Sequence, residues 1–279
     1  MVDNKEKRIT EQSSLYDHLE KMSVAELTAN INNENKKVAL AVEEALPKIN
    51  ILIEAIERQV KNGGRLFYAG CGTGGRLATL DTIEVQNTYG IDGSQIQAIF
   101  PGGIGCLTQT KESREDDLDN GWQQLCDKHI TKDDIVVGFS ASGTTPFVLS
   151  ILKHCRKEGI PTGCIVNNPH SPIAEWADYE VEVITGPEFV TGSTRMKAGT
   201  SQKLILDMIS TTLQIRQGRV EGNKMVNAKL INHKLINRAC RIFMERNSEY
   251  KDYEEVRQLI LKAGSVKKAE MMISRHFDM

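Results

Sequence analysis

The stretch that decides the fold runs from Arg65 to Gly90: RLFYAGCGTGGRLATLDTIEVQNTYG. Its first six residues are an apolar run ending in glycine, which reads as a short strand buried on both faces. The period then lengthens, and Thr73 to about Tyr89 reads as a helix closed by Gly90. A buried strand that turns through glycines into a helix opens a β-α-β unit. Towards the C-terminus the alternation repeats. Residues 95–100 (QIQAIF) read as a second strand, followed by a tight Gly102-Gly103 loop. Ser113–Cys126 reads as a helix, with Ser113 as N-cap and Asp116 in the capping-box position. Residues 134–140 form a third expected strand, Pro146–Glu158 a helix, and 162–167 and 179–185 two more strands. From about Ser193 the chain reads as helical, with a polar, basic part after Gly222. Towards the N-terminus a helix is expected near Val24–Ile31. Across Asn35–Lys61 the residues Val38, Val42, Ala45, Ile49, Ile53, Ile56 and Val60 fall at helical spacing. Pro47 is expected to bend or split that segment, and Gly63-Gly64 to end it. The expected architecture is α/β: a five-stranded, mostly parallel, doubly wound sheet of flavodoxin-like type, with helices on both faces and a short helical C-terminal tail. The change of composition divides the chain into a ligand-binding domain, 1–224, and the tail, 225–279.

Composition narrows the function classes. The 279 residues carry 35 Lys+Arg against 37 Asp+Glu, a balance that argues against a dedicated nucleic-acid binder. Aromatics are 5%, too few to build stacking platforms for bases or polysaccharides. The six cysteines (Cys71, Cys106, Cys126, Cys155, Cys164, Cys240) show no C-x-x-C spacing and no metal-ligand pattern with histidine. They read as ordinary thiols of a reducing compartment. The start, MVDNKEKRITEQSS, lacks the apolar core of a signal peptide, and no apolar run approaches the ~20 residues that span a bilayer. A cytoplasmic protein with no membrane partner is expected.

Three polar loops fall at the carboxyl ends of expected strands, where open parallel sheets bind ligands. They are GCGTGG (70–75), SASGTT (140–145) and TGSTR (191–195). Their hydroxyls and backbone N–H groups, each at a helix start, suit an anion, and together they suggest a phosphate. The candidate contacts are Thr73, Gly74, Gly75, Ser140, Ser142, Gly143, Thr144, Thr145, Ser193 and Thr194. The first loop is no Walker A, since no Gly-Lys-Ser/Thr follows. It meets G-x-G-x-x-G through Gly70, Gly72 and Gly75, yet the next strand offers no acid for a ribose, so a dinucleotide is disfavoured. Taken singly, each loop has an ordinary explanation in turn and capping chemistry.

Two carboxylates are candidates for acid–base chemistry, which a site achieves when their environments push the pKa values apart. Glu84 lies among apolar neighbours late in the helix after the first strand, and Glu115 lies near the start of the next expected helix. A solvated helix face explains the first equally well, and dipole-favoured placement the second. Glu112, Asp116 and Asp117 crowd the same turn, so position alone does not select Glu115. His18, His129, His154, His170, His233 and His276 form no arrangement, and His170, in NNPHSP, reads as a surface loop residue.

The motifs carry a resemblance. GCGTGGRLATLDTIE resembles the sugar isomerase (SIS) phosphosugar-binding fold. More narrowly, TGPEFVTGSTRMKAGTSQKLILDMIS (185–210) is similar to the signature of the N-acetylmuramic acid 6-phosphate etherases and their relative, the glucokinase regulatory protein. TEQSSLYDHLEKMSVAEL (10–27), SASGTTPFVL (140–149) and NPHSPIAEWAD (168–178) add to it, so the resemblance covers almost the whole chain. It implies cleavage of the lactyl ether to N-acetylglucosamine 6-phosphate and D-lactate by elimination and then water addition. It places the two glutamates of the reaction on Glu84, as acid on the leaving oxygen, and Glu115, as base at C2. It implies no metal or redox cofactor. The chain departs from the family at Gly74, where serine is usual, at EVQNTYG and ESREDD around the two glutamates, and at Thr144, where arginine is common. The C-terminal tail reads as short of the family's terminal module.

Glu84 lies eleven residues past Thr73, about 16 Å along an ideal helix. A hexose phosphate does not bridge that span on one straight helix, so a homodimer with a shared active site is expected. Two competing functions use the same loops. A sugar-phosphate-sensing regulator needs them but not the acid–base pair, and a phosphosugar isomerase uses one carboxylate at C2.

Overall fold

The computed structural model describes residues 8–108 and 112–277. The polar start, 1–7, lies outside them, as does the side chain of His276. Five apolar runs become one sheet: β1 (Leu66–Gly70), β2 (Ile96–Ile99), β3 (Ile135–Ser140), β4 (Thr162–Val166) and β5 (Tyr179–Glu182). Every residue of β1, β3 and β4 is buried, as continuous apolar strands require when both faces are covered. The order is β2-β1-β3-β4-β5, and all four pairings are parallel, so the expected sheet is found. The order reverses between β1 and β3, which makes their carboxyl ends the switch point of the sheet.

The helices are α1 (Val24–Lys61), α2 (Gly72–Tyr89), α3 (Asn120–Asp127), α4 (Pro146–Glu158) and α5 (Lys197–Arg216), followed by α6 to α8. Leu125 of α3 and Phe147, Val148, Ile151 and Leu152 of α4 pack with Phe67, Ala69, Val136 and Cys164 on one sheet face. Alternation puts Gly163 on the other face, and a side chain there would meet Leu52 of α1. Both faces are therefore covered.

Three local expectations are corrected. The two N-terminal helices are one: Ser23 opens α1 with a reciprocal capping box to Glu26, and the helix passes through Pro47 without a break. The missing proline N–H removes one bond from a 38-residue ladder, too little to split it. The expected helix Ser113–Cys126 is two pieces, a 3₁₀ turn over Glu112–Asp116 and α3. Ser113 lies inside the turn, and the α3 entry is held by Asp117, whose Oδ1 accepts from the amides of Asp119 and Asn120. After α5 the chain forms a hairpin of β6 (Val220–Glu221) and β7 (Lys224–Met225), too short to show a period in the sequence.

Contacts divide the chain into two compact units that do not follow a boundary at 224. The first holds the described residues up to Asp81 together with Ser94–Ile209. The second holds Thr82–Gly93 and the chain from Ser210 onwards, so α2 and α5 each begin in the first unit and end in the second. The second unit has its own core. Cys240 and Phe243 of α6 (His233–Arg246), Val256 and Ile260 of α7 (Tyr253–Ala263) and Val266 of α8 (Val266–Phe277) are buried together with Val226, which follows β7.

Candidate active site

The site is built at the switch point. β1 runs into α2 through Gly70-Cys71, and β3 runs into α4 through residues 141–145. A methyl group on Gly75 would collide with the carbonyl oxygen of Gly70, so glycine at 75 is what lets α2 start this close to the strand end. Between the two loops lies a cleft of about 150 Å³. Thr73, Gly74, Ser140, Ser142, Thr145 and Thr194 line it, together with Glu115, Glu11, Cys71 and Gln202. The three loops expected to form one anion site therefore each contribute to one cleft.

The 140–145 loop is organised by its own hydroxyls. Ser140 Oγ shares a 2.8 Å hydrogen bond with Thr145 Oγ1 and accepts from the Gly143 amide at 3.1 Å. Ser142 Oγ accepts from Thr144 N at 3.3 Å and from Thr144 Oγ1 at 3.1 Å. The N-termini of α2 and α4 meet the same cleft and add partial positive charge to these donors.

Glu115 comes to the cleft from the 3₁₀ turn. Gly72 has φ +51°, and a side chain there would come within 3.3 Å of Glu115 Oε1. Glycine at 72 thus gives the α2 entry its left-handed residue and leaves room for the carboxylate. Burial pushes the Cys71 thiol well above its ordinary pKa, and the negative charges of Glu115 and Asp116 add to it. Cys71 is a neutral wall of the site.

Other expected contacts lie elsewhere. Gly75 packs against β1, Ser193 does not line the cleft, and the Gly143 amide is engaged by Ser140. Thr144 lines a neighbouring cavity. Glu84 is exposed on the part of α2 that belongs to the second unit. The open amides expected at the start of α5 are taken: the fully buried Glu188 accepts from Lys197 N at 2.8 Å and from Ala198 N at 2.9 Å. Glu188 takes the first two amides of that helix and the Thr194 carbonyl takes the Gly199 amide, so the third loop contributes to the cleft through Thr194.

Glu11 and Gln202 were not anticipated. Glu11 is brought in by an N-terminal arm tied down through Thr10, whose amide and hydroxyl bond Asn168, 158 residues away. Gln202 forms the floor. Its Nε2 donates to Asn167 Oδ1 at 3.1 Å, while Asn167 Nδ2 donates to the Val183 carbonyl and to Ser201 Oγ. That chain fixes both amides, and Gln202 Oε1 is 2.5 Å from where a side chain at Gly74 would begin. Gly74 thus trades a serine hydroxyl for the Gln202 amide. Among the described residues no group of three or more His, Cys, Asp or Glu is placed to hold a metal ion.

The chain is 50% identical over 269 residues to the N-acetylmuramic acid 6-phosphate etherase of Bacteroides thetaiotaomicron, covering 96% of each chain. It is 48% identical to the protein of that name from Porphyromonas gingivalis, over 93% of this chain and 94% of that one. The chain belongs to the N-acetylmuramic acid 6-phosphate etherase family. Within this etherase-family chain, residues 48–156 match the glucokinase regulatory protein N-terminal SIS domain, and residues 122–211 match the SIS domain. The etherase-family fold is also seen in the solved structure of a phosphoheptose isomerase from Francisella tularensis. That protein has a TM-score of 0.51 and 14% identity, over 70% of this chain and 100% of the other.

Proposed function

We propose that this chain cleaves the lactyl ether of N-acetylmuramic acid 6-phosphate, giving N-acetylglucosamine 6-phosphate and D-lactate, as a carbon–oxygen lyase of amino-sugar catabolism and peptidoglycan recycling. The observation that carries the reading is the meeting of Glu115 with the hydroxyl loops in one cleft, in a chain half identical to a named etherase. The hydroxyls of Thr73, Ser140, Ser142, Thr145 and Thr194 hold the 6-phosphate and so fix the reacting carbons. In the open-chain sugar, C2–H is α to the aldehyde, and Glu115 removes it as base. The C3 ether is β to that carbonyl, so the electron pair left at C2 forms the C2–C3 double bond and lactate leaves as Glu84 protonates its oxygen. Water adds back to the unsaturated aldehyde at C3.

Glu84 reaches the reaction from a second copy in this reading. Leu80, Ile83 and Glu84 stand at i, i+3 and i+4 on α2, and the two apolar side chains are 43% and 49% exposed. An exposed apolar stripe beside an acid is what an interface between copies requires. The six cysteines are all free, in keeping with a reducing cytoplasm. The match to the glucokinase regulatory protein domain favours a second reading, a sugar-phosphate-binding regulator, which needs the cleft but no chemistry at Glu115.

Lactate release from N-acetylmuramic acid 6-phosphate tests the reading. Wild type is expected to release it, and Glu84→Gln and Glu115→Gln are each expected to lose at least about 100-fold in kcat. Mixing the two variants tests the sharing. Random re-pairing restores about one-quarter of wild-type activity if each site takes one glutamate from each copy, and none if both come from one chain. No lactate from wild type would favour the regulator, and full activity in both variants would remove the assigned roles.

A further inference from the structure

A second cavity, of about 340 Å³, adjoins the cleft and shares Ser142 with it. Arg8, Thr144, Asn168, His170 and Ser171 line it, with two prolines. It holds a cation, whereas the described residues lining the cleft include no lysine or arginine. Among the described residues the half-buried guanidinium of Arg8 has no hydrogen-bond or ion-pair partner. A positive group that gives up part of its hydration in this way is stabilised when an anion meets it. A second, independent observation points the same way. Ser171 is only 3% exposed, and its hydroxyl is buried with no hydrogen-bond partner. Buried hydroxyls left unpaired are uncommon and call for a partner.

The arm that carries Arg8 is fixed in place. Thr10 is buried and exchanges two hydrogen bonds with Asn168, whose Nδ2 also donates to the carbonyl of Ala141 in the 140–145 loop. Ser14 bonds Thr191 and Phe189 further along. The cation is thus held against the loop that borders the cleft.

We propose that this cavity is a carboxylate subsite, with Arg8 as its cation and the unpaired hydroxyl of Ser171 as a further donor. Resting on the etherase reading, the carboxylate is that of the lactyl group. The substrate has two anionic ends, a phosphate and a carboxylate, and the structure offers two adjoining anion sites of different character. The sugar product lacks the carboxylate. Arg8 therefore distinguishes substrate from product and lets the product leave once lactate is gone. Its contact is made before and during reaction alike, so it acts on KM rather than kcat.

The test compares wild type, Arg8→Gln and Arg8→Lys, reading KM and kcat for N-acetylmuramic acid 6-phosphate and the inhibition constant of N-acetylglucosamine 6-phosphate. Arg8→Gln is expected to raise KM about 30-fold with kcat nearly unchanged, and Arg8→Lys to recover most of the loss. The inhibition constant of the product, which has no carboxylate, stays at the wild-type value. If Arg8→Gln weakens substrate and product equally, the guanidinium holds the phosphate or merely the fold, and the proposal is overturned. Unchanged constants for both overturn it as well. Should wild type release no lactate, the etherase reading fails separately. Calorimetric binding then decides the subsite. A preference of wild type for the lactylated over the non-lactylated sugar phosphate, lost in Arg8→Gln, supports it, and no preference overturns it.

Discussion

Lys197 begins α5 next to the third loop, and it is buried to 2% exposure with its partner Glu34 of α1 equally enclosed. Its Nζ lies 2.6 Å from Glu34 Oε2, and Glu34 Oε1 accepts from Lys37 at 2.6 Å and Tyr16 at 3.1 Å. Replacing Lys197 by Met keeps the stem and removes the charge. Breaking a buried pair costs about 3–5 kcal/mol, because the surviving charge is stranded. Glu34 keeps two partners, so the lower end, about 3 kcal/mol, is expected. Removing the stranded charge as well, with Glu34→Gln, should return a good part of that loss. Both tryptophans, Trp122 and Trp176, lie in the first unit, so their fluorescence in urea reports the unfolding of that unit. With a slope of about 2 kcal/mol/M, the single variant should shift the midpoint down by about 1.5 M. A midpoint within about 0.3 M of wild type, or a double variant no more stable than the single, would refute the argument that this pair holds α1 to the start of α5.

Two further perturbations test the scaffold. Gly75→Ala puts a methyl group onto the Gly70 carbonyl, which only backbone movement can relieve; a loss of at least about 3 kcal/mol is expected by the same urea titration. Acid should weaken the first unit through Asp134. Burial raises the pKa of this carboxyl, but hydrogen bonds from Arg65 and Thr131 outweigh it, so the folded value lies below the ordinary one. The resulting stability is present above the unfolded pKa of about 3.9 and is lost as pH falls through the folded value. The urea midpoint should therefore drop below about pH 4, and Arg65→Gln should lower it at pH 7 and flatten that drop.

The sheet was legible because its information is local. RLFYAG, DIVVGFS and TGCIVN are short apolar runs closed by turn residues, and Pro146 and Gly159 mark the two ends of α4. The cleft was half legible for the same reason: hydroxyls directly after a strand declare themselves. What stayed hidden depends on contacts across the chain. No strand end or helix start marks Arg8 or Glu11 as site residues, even though Glu11 lies in a segment that carries the resemblance; the pairing of Thr10 with Asn168 brings them there. Nothing near TGSTR shows that Glu188, nine residues before Lys197, reaches back to its amide. The break before α3 stayed hidden because Ser113 reads as a cap by residue type alone, and only the fold shows Asp117 accepting from the amides at the α3 entry.

The placement of charge around the cleft follows from the roles proposed for it. A phosphate dianion is commonly met by lysine or arginine, yet the described polar side chains lining the cleft are hydroxyls, an amide and two carboxylates beside the Cys71 thiol. A cation beside the phosphate would also stand near Glu115, lower its pKa and weaken it as a base towards a carbon-bound proton. Hydroxyls and helix N-termini grip the same anion with partial charges that fall off within a turn, so they leave the base its strength. Among the described residues that line the cleft or the adjoining cavity, the arginine is Arg8, which lines the cavity on a separate arm tied down by Thr10. There a full charge costs the base less and can meet the second anion of the substrate. The cleft without a lining lysine or arginine and the cavity with one are in this sense one design, and moving the cation inward, with Thr145→Lys, should weaken Glu115 even if it tightens phosphate binding.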